Sequence, residues 1–205
     1  MNWKKIDNTV RVQPKTGIYS DWKQQIADDC FNKCVYCSIH EQPWGGIDHY
    51  HIEHFRPKSK FKKLENIIQN LYHACPVCNR FKSDDWPNIP TSLNRICYPN
   101  PSKFDYSTLF LPLNGDFLLK GNTIAANYLI NRLYLNRPQL ILERRESYLD
   151  HRYNTLFDEI KTLVLESKDF EISNKFINLF SEIKLHLQNR KNIVPYKLAD
   201  IRKQK

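Results

Sequence analysis

Residues 34–82, CVYCSIHEQPWGGIDHYHIEHFRPKSKFKKLENIIQNLYHACPVCNRFK, decide the fold. Two Cys-x-x-Cys pairs bracket the stretch, Cys34 with Cys37 and Cys75 with Cys78. This is the knuckle spacing that places four thiolates around one tetrahedral zinc when the chain folds back on itself. Such a site contributes on the order of 10–16 kcal/mol of metal-coupled folding free energy, enough to fix a loop-rich segment. Redox-active or unconnected cysteines are the alternative. Neither pair sits in a βαβ pattern of the kind that accompanies a redox Cys-x-x-Cys.

Inside the bracket the donors change character. His51-Ile52-Glu53-His54 ends an apolar-polar run at Ile47–Phe55 that reads as a strand closed by Pro57. Asn70 follows alone, and Asn79 comes directly after the last cysteine. An imidazole at His54 can take a proton from water near neutral pH. The Glu53 carboxylate and the Asn79 amide oxygen are hard donors of the kind that Mg²⁺ accepts while keeping most of its water. His51 lies two residues before Glu53, on the same strand face, where it could assist a metal or a phosphate. Soft sulfur outside and hard oxygen inside imply two sites, one structural and one catalytic.

Outward from the core, Trp22, Ile26 and Cys30 share one face of a helix expected from Asp21 to Phe31, with Ser20 as its N-cap. Residues 1–19 read as an extended, solvated arm carrying Lys4, Lys5, Arg11 and Lys15. A helix is expected to begin at Cys78 and run to about Asp84. Residues 85–106, with Pro87, Pro90, Pro99 and Pro101, read as an irregular linker. Leu109–Leu119 contains two apolar runs joined by Asn114-Gly115, a signal for a type I′ hairpin. Helical periodicity then predicts elements from Thr123 to Leu135, from Pro138 to about Glu166, and from Ile172 to Leu187. A basic tail after Pro195 is expected to fray. The expected class is α+β, mainly α, with residues 1–106 as one region and 107–205 as a second.

Composition narrows the function. Of 205 residues, 31 are Lys or Arg and 22 Asp or Glu, a formal net charge of +9 that favours a polyanionic partner. Arg56, Lys58, Lys60, Lys62 and Lys63 follow the candidate strand, and Lys82 follows the second knuckle. Arg56, Lys58, Lys60 and Lys82 are the candidate phosphate contacts, which would hold a nucleic-acid backbone without reading its sequence. No run approaches the roughly 18 apolar residues of a membrane span. The first residues carry no apolar signal segment, so a cytoplasmic protein is expected.

Residues 34–84 resemble the HNH nucleases of the ββα-metal, or His-Me finger, superfamily. The resemblance rests on Glu53-His54, Asn70 and the ending Cys75-Pro-Val-Cys78-Asn79-Arg-Phe-Lys82. It implies that His54 is the general base, that Glu53 and Asn79 hold a catalytic Mg²⁺ or Mn²⁺, and that Asn70 braces the loop orienting the histidine. Glu53 stands where Asp is commoner in the family, which loosens its assignment as a direct ligand. A narrower resemblance is to the HNH subunits of bacterial anti-phage systems of the Septu and retron type. It is carried by HIEHFRPKS, by NLYHACPVCNRFKSD and by the later TIAANYLINRLYLNRPQLILERR. It implies an ATPase partner and a helical C-terminal part that docks it, while the HNH resemblance leads to an expected double-stranded DNA substrate. The competing expectation is a zinc-stabilised nucleic-acid-binding or scaffolding module without chemistry.

Overall fold

A computed structural model describes residues 3–87, 89, 92–166 and 170–191. It is a mixed α/β structure, with residues 1–140 forming one compact unit and 141–205 another. The expected division after residue 106 falls inside the first unit, so residues 107–140 pack with the finger. The basic tail after Pro195 lies outside the described residues.

The first unit is built on an antiparallel ribbon of β1 (His51–His54) and β2 (Leu71–Ala74), in the register His51↔Ala74 through His54↔Leu71. Helix α1 (Lys23–Asp29) packs on β2, and helix α3 (Pro76–Lys82) packs on β1. Helix α1 is shorter than expected because Tyr19–Trp22 winds as a 3₁₀ turn. Ser20 does not cap it: Ile18 holds the N-cap position of that turn, and Asp21 Oδ2 reaches back to accept from the Ile18 N–H at 2.9 Å. Trp22, Ile26 and Cys30 are buried, as their spacing predicts. The expected strand from Ile47 begins only at His51. Gly45 and Gly46 adopt positive φ and start a helical turn, α2 (Gly46–His49), which leaves four residues to pair.

Helix α3 begins at Pro76, two residues before its expected start. Proline suits the first helical position, and the Cys75 Sγ caps the Cys78 N–H at 3.4 Å. The N-terminal arm is tethered at Arg11, which is buried. Its Nε pairs with Asp29 at 2.9 Å and its Nη2 donates to the Leu71 carbonyl at 2.8 Å.

The described part of 85–106 is irregular up to a 3₁₀ turn at Tyr106–Thr108. The hairpin expected at Leu109–Leu119 is reduced to one bridge, Phe110↔Gly121. Its turn is not type I′. Asn114 O accepts from the Phe117 N–H at 2.9 Å, and Phe117 carries the left-handed φ of +55°. Asp116 Oδ1 takes the Leu118 N–H at 3.0 Å, an Asx turn that competes with the tight turn Asn-Gly would make. Helix α4 (Ile124–Arg132) is capped by Thr123 and buries Ala125, Ala126, Leu129 and Ile130. Ala126, Leu129 and Ile130 join Tyr36, Tyr50, Phe55, Tyr72 and Tyr98 in the main core.

Most of helix α5 (Pro138–Glu166) belongs to the second unit. Helix α6 (Phe170–Lys191) extends past its expected limits at both ends. Within the second unit Leu149, Leu156 and Ile183 are buried, and Arg152 pairs with Glu182 at 2.5 Å.

Candidate active site and metal centre

The two Cys-x-x-Cys segments meet. The sulfurs of Cys34, Cys37, Cys75 and Cys78 lie within 4.8 Å of one another, and all four residues are buried. Around a tetrahedral zinc with Zn–S bonds of about 2.3 Å, neighbouring sulfurs stand about 3.8 Å apart. The Cys37 and Cys75 sulfurs are 3.8 Å apart. Donor type, number and spacing therefore fit a structural zinc ion. Among the described residues this is the sole group of three or more His, Cys, Asp or Glu side chains able to hold a metal. Cys30 and Cys97 stay apart as buried thiols. One residue outside the motif reaches the cluster: Arg137 Nη2 donates to the sulfurs of Cys78 and Cys75 at 3.5 and 3.8 Å.

The other end of the ribbon opens into a cleft of about 460 Å³. Its lining includes His54, Glu53, Asn79, Tyr19, Lys58 and Arg80. The strand end, the first turns of α3 and the loop after Pro57 thus bring His54, Glu53 and Asn79 to one surface.

His54 is nearly buried, and its Nε2 lies 3.0 Å from the Glu65 carbonyl oxygen. A carbonyl only accepts, so Nε2 carries the proton and Nδ1 keeps its lone pair. Burial lowers the His54 pKa below its ordinary 6.5, against the opposing pull of that carbonyl. The Tyr19 ring stands edge-on to the imidazole, centroids 4.7 Å apart.

Asn70 is buried beside this contact. Its Oδ1 accepts from the Arg56 N–H at 2.9 Å, and its Nδ2 donates to the carbonyls of Arg56 and Leu64 at 3.1 and 3.2 Å. It ties both ends of the 56–64 loop, one residue from the carbonyl that holds His54.

Glu53 and Lys82 are arranged otherwise than expected. Lys82, a candidate phosphate contact, is fully buried, with its Nζ 2.5 Å from Glu53 Oε1 and donating to the His54 carbonyl at 3.1 Å. Lys82 is therefore withdrawn from the phosphate-binding set. Sequence reading takes it as a phosphate contact, whereas α3, packed on β1, buries it against Glu53. Tyr36 Oη also donates to Glu53 Oε1, at 3.1 Å. Burial raises the Glu53 pKa, and Lys82 and Tyr36 oppose the rise.

Asn79 Nδ2 lies 3.0 Å from Nδ1 of the exposed His51. These two form a polar pair at the mouth of the finger. The hard donors lining the cleft thus include Asn79, the exposed Asp84 and an already paired Glu53, enough for a hydrated cation that takes one or two protein ligands. Lys58 is part-exposed and held by Tyr19 Oη at 2.8 Å and Glu65 at 3.4 Å. Arg56 lies over the Phe61 ring, and Lys60 is exposed.

Sequence reading missed Tyr36, Tyr19, Glu65 and Arg137. Tyr36, inside the first knuckle, was open to suspicion as a large residue between two ligands. Glu65 acts through its main chain and Arg137 is 59 residues from Cys78, so neither carries a local signature.

A two-stranded antiparallel ribbon followed by a helix, stapled by four cysteines, is a ββα-metal finger. Residues 34–85 match the HNH endonuclease family and constitute an HNH domain within the chain. That family supports a nuclease-type function acting on nucleic acid. No curated protein and no solved structure matches the chain. Among the described residues no helix is long and apolar enough to cross a membrane.

Proposed function

We propose that this protein is a metal-dependent endonuclease that hydrolyses phosphodiester bonds in double-stranded DNA. The observation that carries the proposal is the shared cleft wall of His54, Glu53 and Asn79, with the His54 Nε2 already occupied by the Glu65 carbonyl. In this reading neutral His54 takes a proton from the attacking water at Nδ1. Asn70 holds the loop that presents the Glu65 carbonyl, so it positions the base without touching substrate. Asn79 and Glu53 would hold Mg²⁺ or Mn²⁺, with His51 as an ancillary group beside Asn79. When bound, that ion supplies charge stabilisation to the leaving oxygen. Lys58 at the cleft, with Arg56 and Lys60, faces the phosphate backbone.

The narrower resemblance supports a role as the nuclease of an anti-phage system working with an ATPase. In the second unit Phe157, Ile177 and Phe180 are each more than half exposed, which suits a docking part. Co-purification with an ATPase encoded beside this gene tests that role.

The test of the core proposal is nicking of supercoiled plasmid with Mg²⁺ or Mn²⁺, abolished by EDTA and by His54→Ala. A second reading, a binding or scaffolding module without chemistry, draws on the Glu53–Lys82 pair, which occupies the carboxylate with a protein cation. Metal-independent binding without nicking, by the chain alone and with its partner, would favour it.

A further inference from the structure

Zinc with four thiolates carries a net double negative charge, and burying it is costly unless donors approach the sulfurs. The finger supplies one such donor from its own backbone, the Cys78 N–H on the Cys75 sulfur at 3.4 Å. The charged donor comes from the turn between α4 and α5. Arg137 Nη2 reaches the Cys78 and Cys75 sulfurs at 3.5 and 3.8 Å, while Nη1 donates to the carbonyls of Leu133 and Tyr134 at 3.2 and 3.4 Å. Its Nε is buried without a partner. Among the described residues no carboxylate pairs with this guanidinium, so the sulfurs are its counter-charge.

The turn it closes also packs through Leu133, Leu135 and Leu140, which are fully buried in the main core. Helix α4 ends with the Leu135 N–H on the Ile130 carbonyl at 2.9 Å, and Tyr134 takes the left-handed φ of +49° that favours glycine. The Tyr134 ring rests on Phe81 of α3, centroids 4.6 Å apart. Asn136 exchanges two hydrogen bonds with the Leu119 backbone. A strained tyrosine and a half-buried cation sit together where one planar fork spans the metal cluster and the helix end.

We infer that Arg137 is a positioning residue of the four-cysteine metal site, strengthening metal binding and making the docking of residues 133–140 depend on the loaded cluster. The inference needs the cluster to bind zinc. It does not need the chain to be a nuclease.

The experiment uses the full chain as wild type, Arg137→Met, Arg137→Lys and Arg132→Met. The last removes an ion pair to Asp85 near the same helix end without touching the sulfurs. Zinc affinity is read by competition with a chromogenic chelator, and amide exchange is measured with zinc saturating. Arg137→Met should bind zinc about 10- to 100-fold more weakly, the usual cost of removing a partner of a metal ligand. Residues 133–140 should exchange about tenfold faster in that variant, with 71–74 unchanged. Arg137→Lys should recover part of the affinity, since it keeps the charge but loses the fork. It also stands in for Arg137→Met if that variant does not fold, and should then bind zinc at least about threefold more weakly than wild type. Zinc affinity unchanged in both Arg137 variants would overturn the inference. So would an equal loss in Arg132→Met, which would trace the effect to general destabilisation.

Discussion

The two ends of the β1–β2 ribbon are held by opposite chemistry. Near Ala74 lie four sulfurs, buried and within 4.8 Å of one another, a set that fits a structural zinc ion. Beyond His54 lie an imidazole, a carboxylate, two amides and a lysine, held by hydrogen bonds to backbone carbonyls and by one buried ion pair. The sulfur end does one thing and is closed to solvent. The cleft end is open, with His54, Glu53 and Asn79 in its lining. With only four residues in each strand, the ribbon is expected to rely on the first end to hold the second in place. The sharpest way to break this contrast is to remove the metal. Chelation, or Cys78→Ser, should unfold residues 34–82 and cost on the order of 10 kcal/mol, the scale of a structural zinc site. Thermal unfolding followed by circular dichroism reads it, and an unchanged midpoint would make the sulfurs ordinary core residues.

Next in size is the ion pair beneath the cleft. Lys82 and Glu53 are both buried, so removing the cation alone strands a carboxylate. Lys82→Met should cost about 3–5 kcal/mol, whereas Lys82→Met with Glu53→Gln should recover most of it. Chemical denaturation of both variants decides the matter. If the single variant is as stable as wild type, the fold does not depend on Lys82 as the counter-charge of Glu53, and the pair is no structural element of the finger.

His54 tests the cleft as chemistry rather than as structure. His54→Ala should lower nicking at least about 10²-fold with zinc content unchanged. Because burial lowers its pKa below 6.5, His54 is the free base at pH 7. Nicking should therefore be flat near neutrality and fall as pH drops through a value under 6.5. Stability follows the same sign: the folded state binds fewer protons than the unfolded one, so this contribution is complete above 6.5 and is lost as pH falls through the folded value. A pH–rate profile with its acidic limb above 6.5 would contradict the desolvated environment.

The legibility of the molecule follows the same division. The cysteines were readable because thiolate spacing is a local rule with few alternative uses. The long helices were readable because Pro138 and the apolar period agree over many turns. The ribbon was misplaced at its start because Gly45 and Gly46 turned an apolar run into a helical turn. The hairpin failed because Asp116 offered its own turn against Asn-Gly. At the cleft, the residue types were legible but their partners were not. Lys82 and Lys58 look alike as basic residues after a motif, yet α3 buries one against Glu53 and the loop leaves the other part-exposed. Burial of a charge depends on which carboxylate the fold brings opposite, and that information lies across the ribbon rather than along the chain.

Those two lysines supply the smallest and most discriminating effect. Lys58 is exposed enough that its contact with Glu65 should contribute at most about 1 kcal/mol, so Lys58→Ala should leave the unfolding midpoint nearly unchanged. Its phosphate contact should appear in binding instead. With EDTA present to prevent cutting, the slope of log affinity against log salt should fall by about one unit for one lost contact on duplex DNA. Lys82→Met should behave in reverse, losing stability while keeping the slope in whatever fraction remains folded. An equal loss of slope in both variants would mean that Lys82 leaves its carboxylate to meet the backbone, and that the ion pair beneath the cleft opens when nucleic acid arrives.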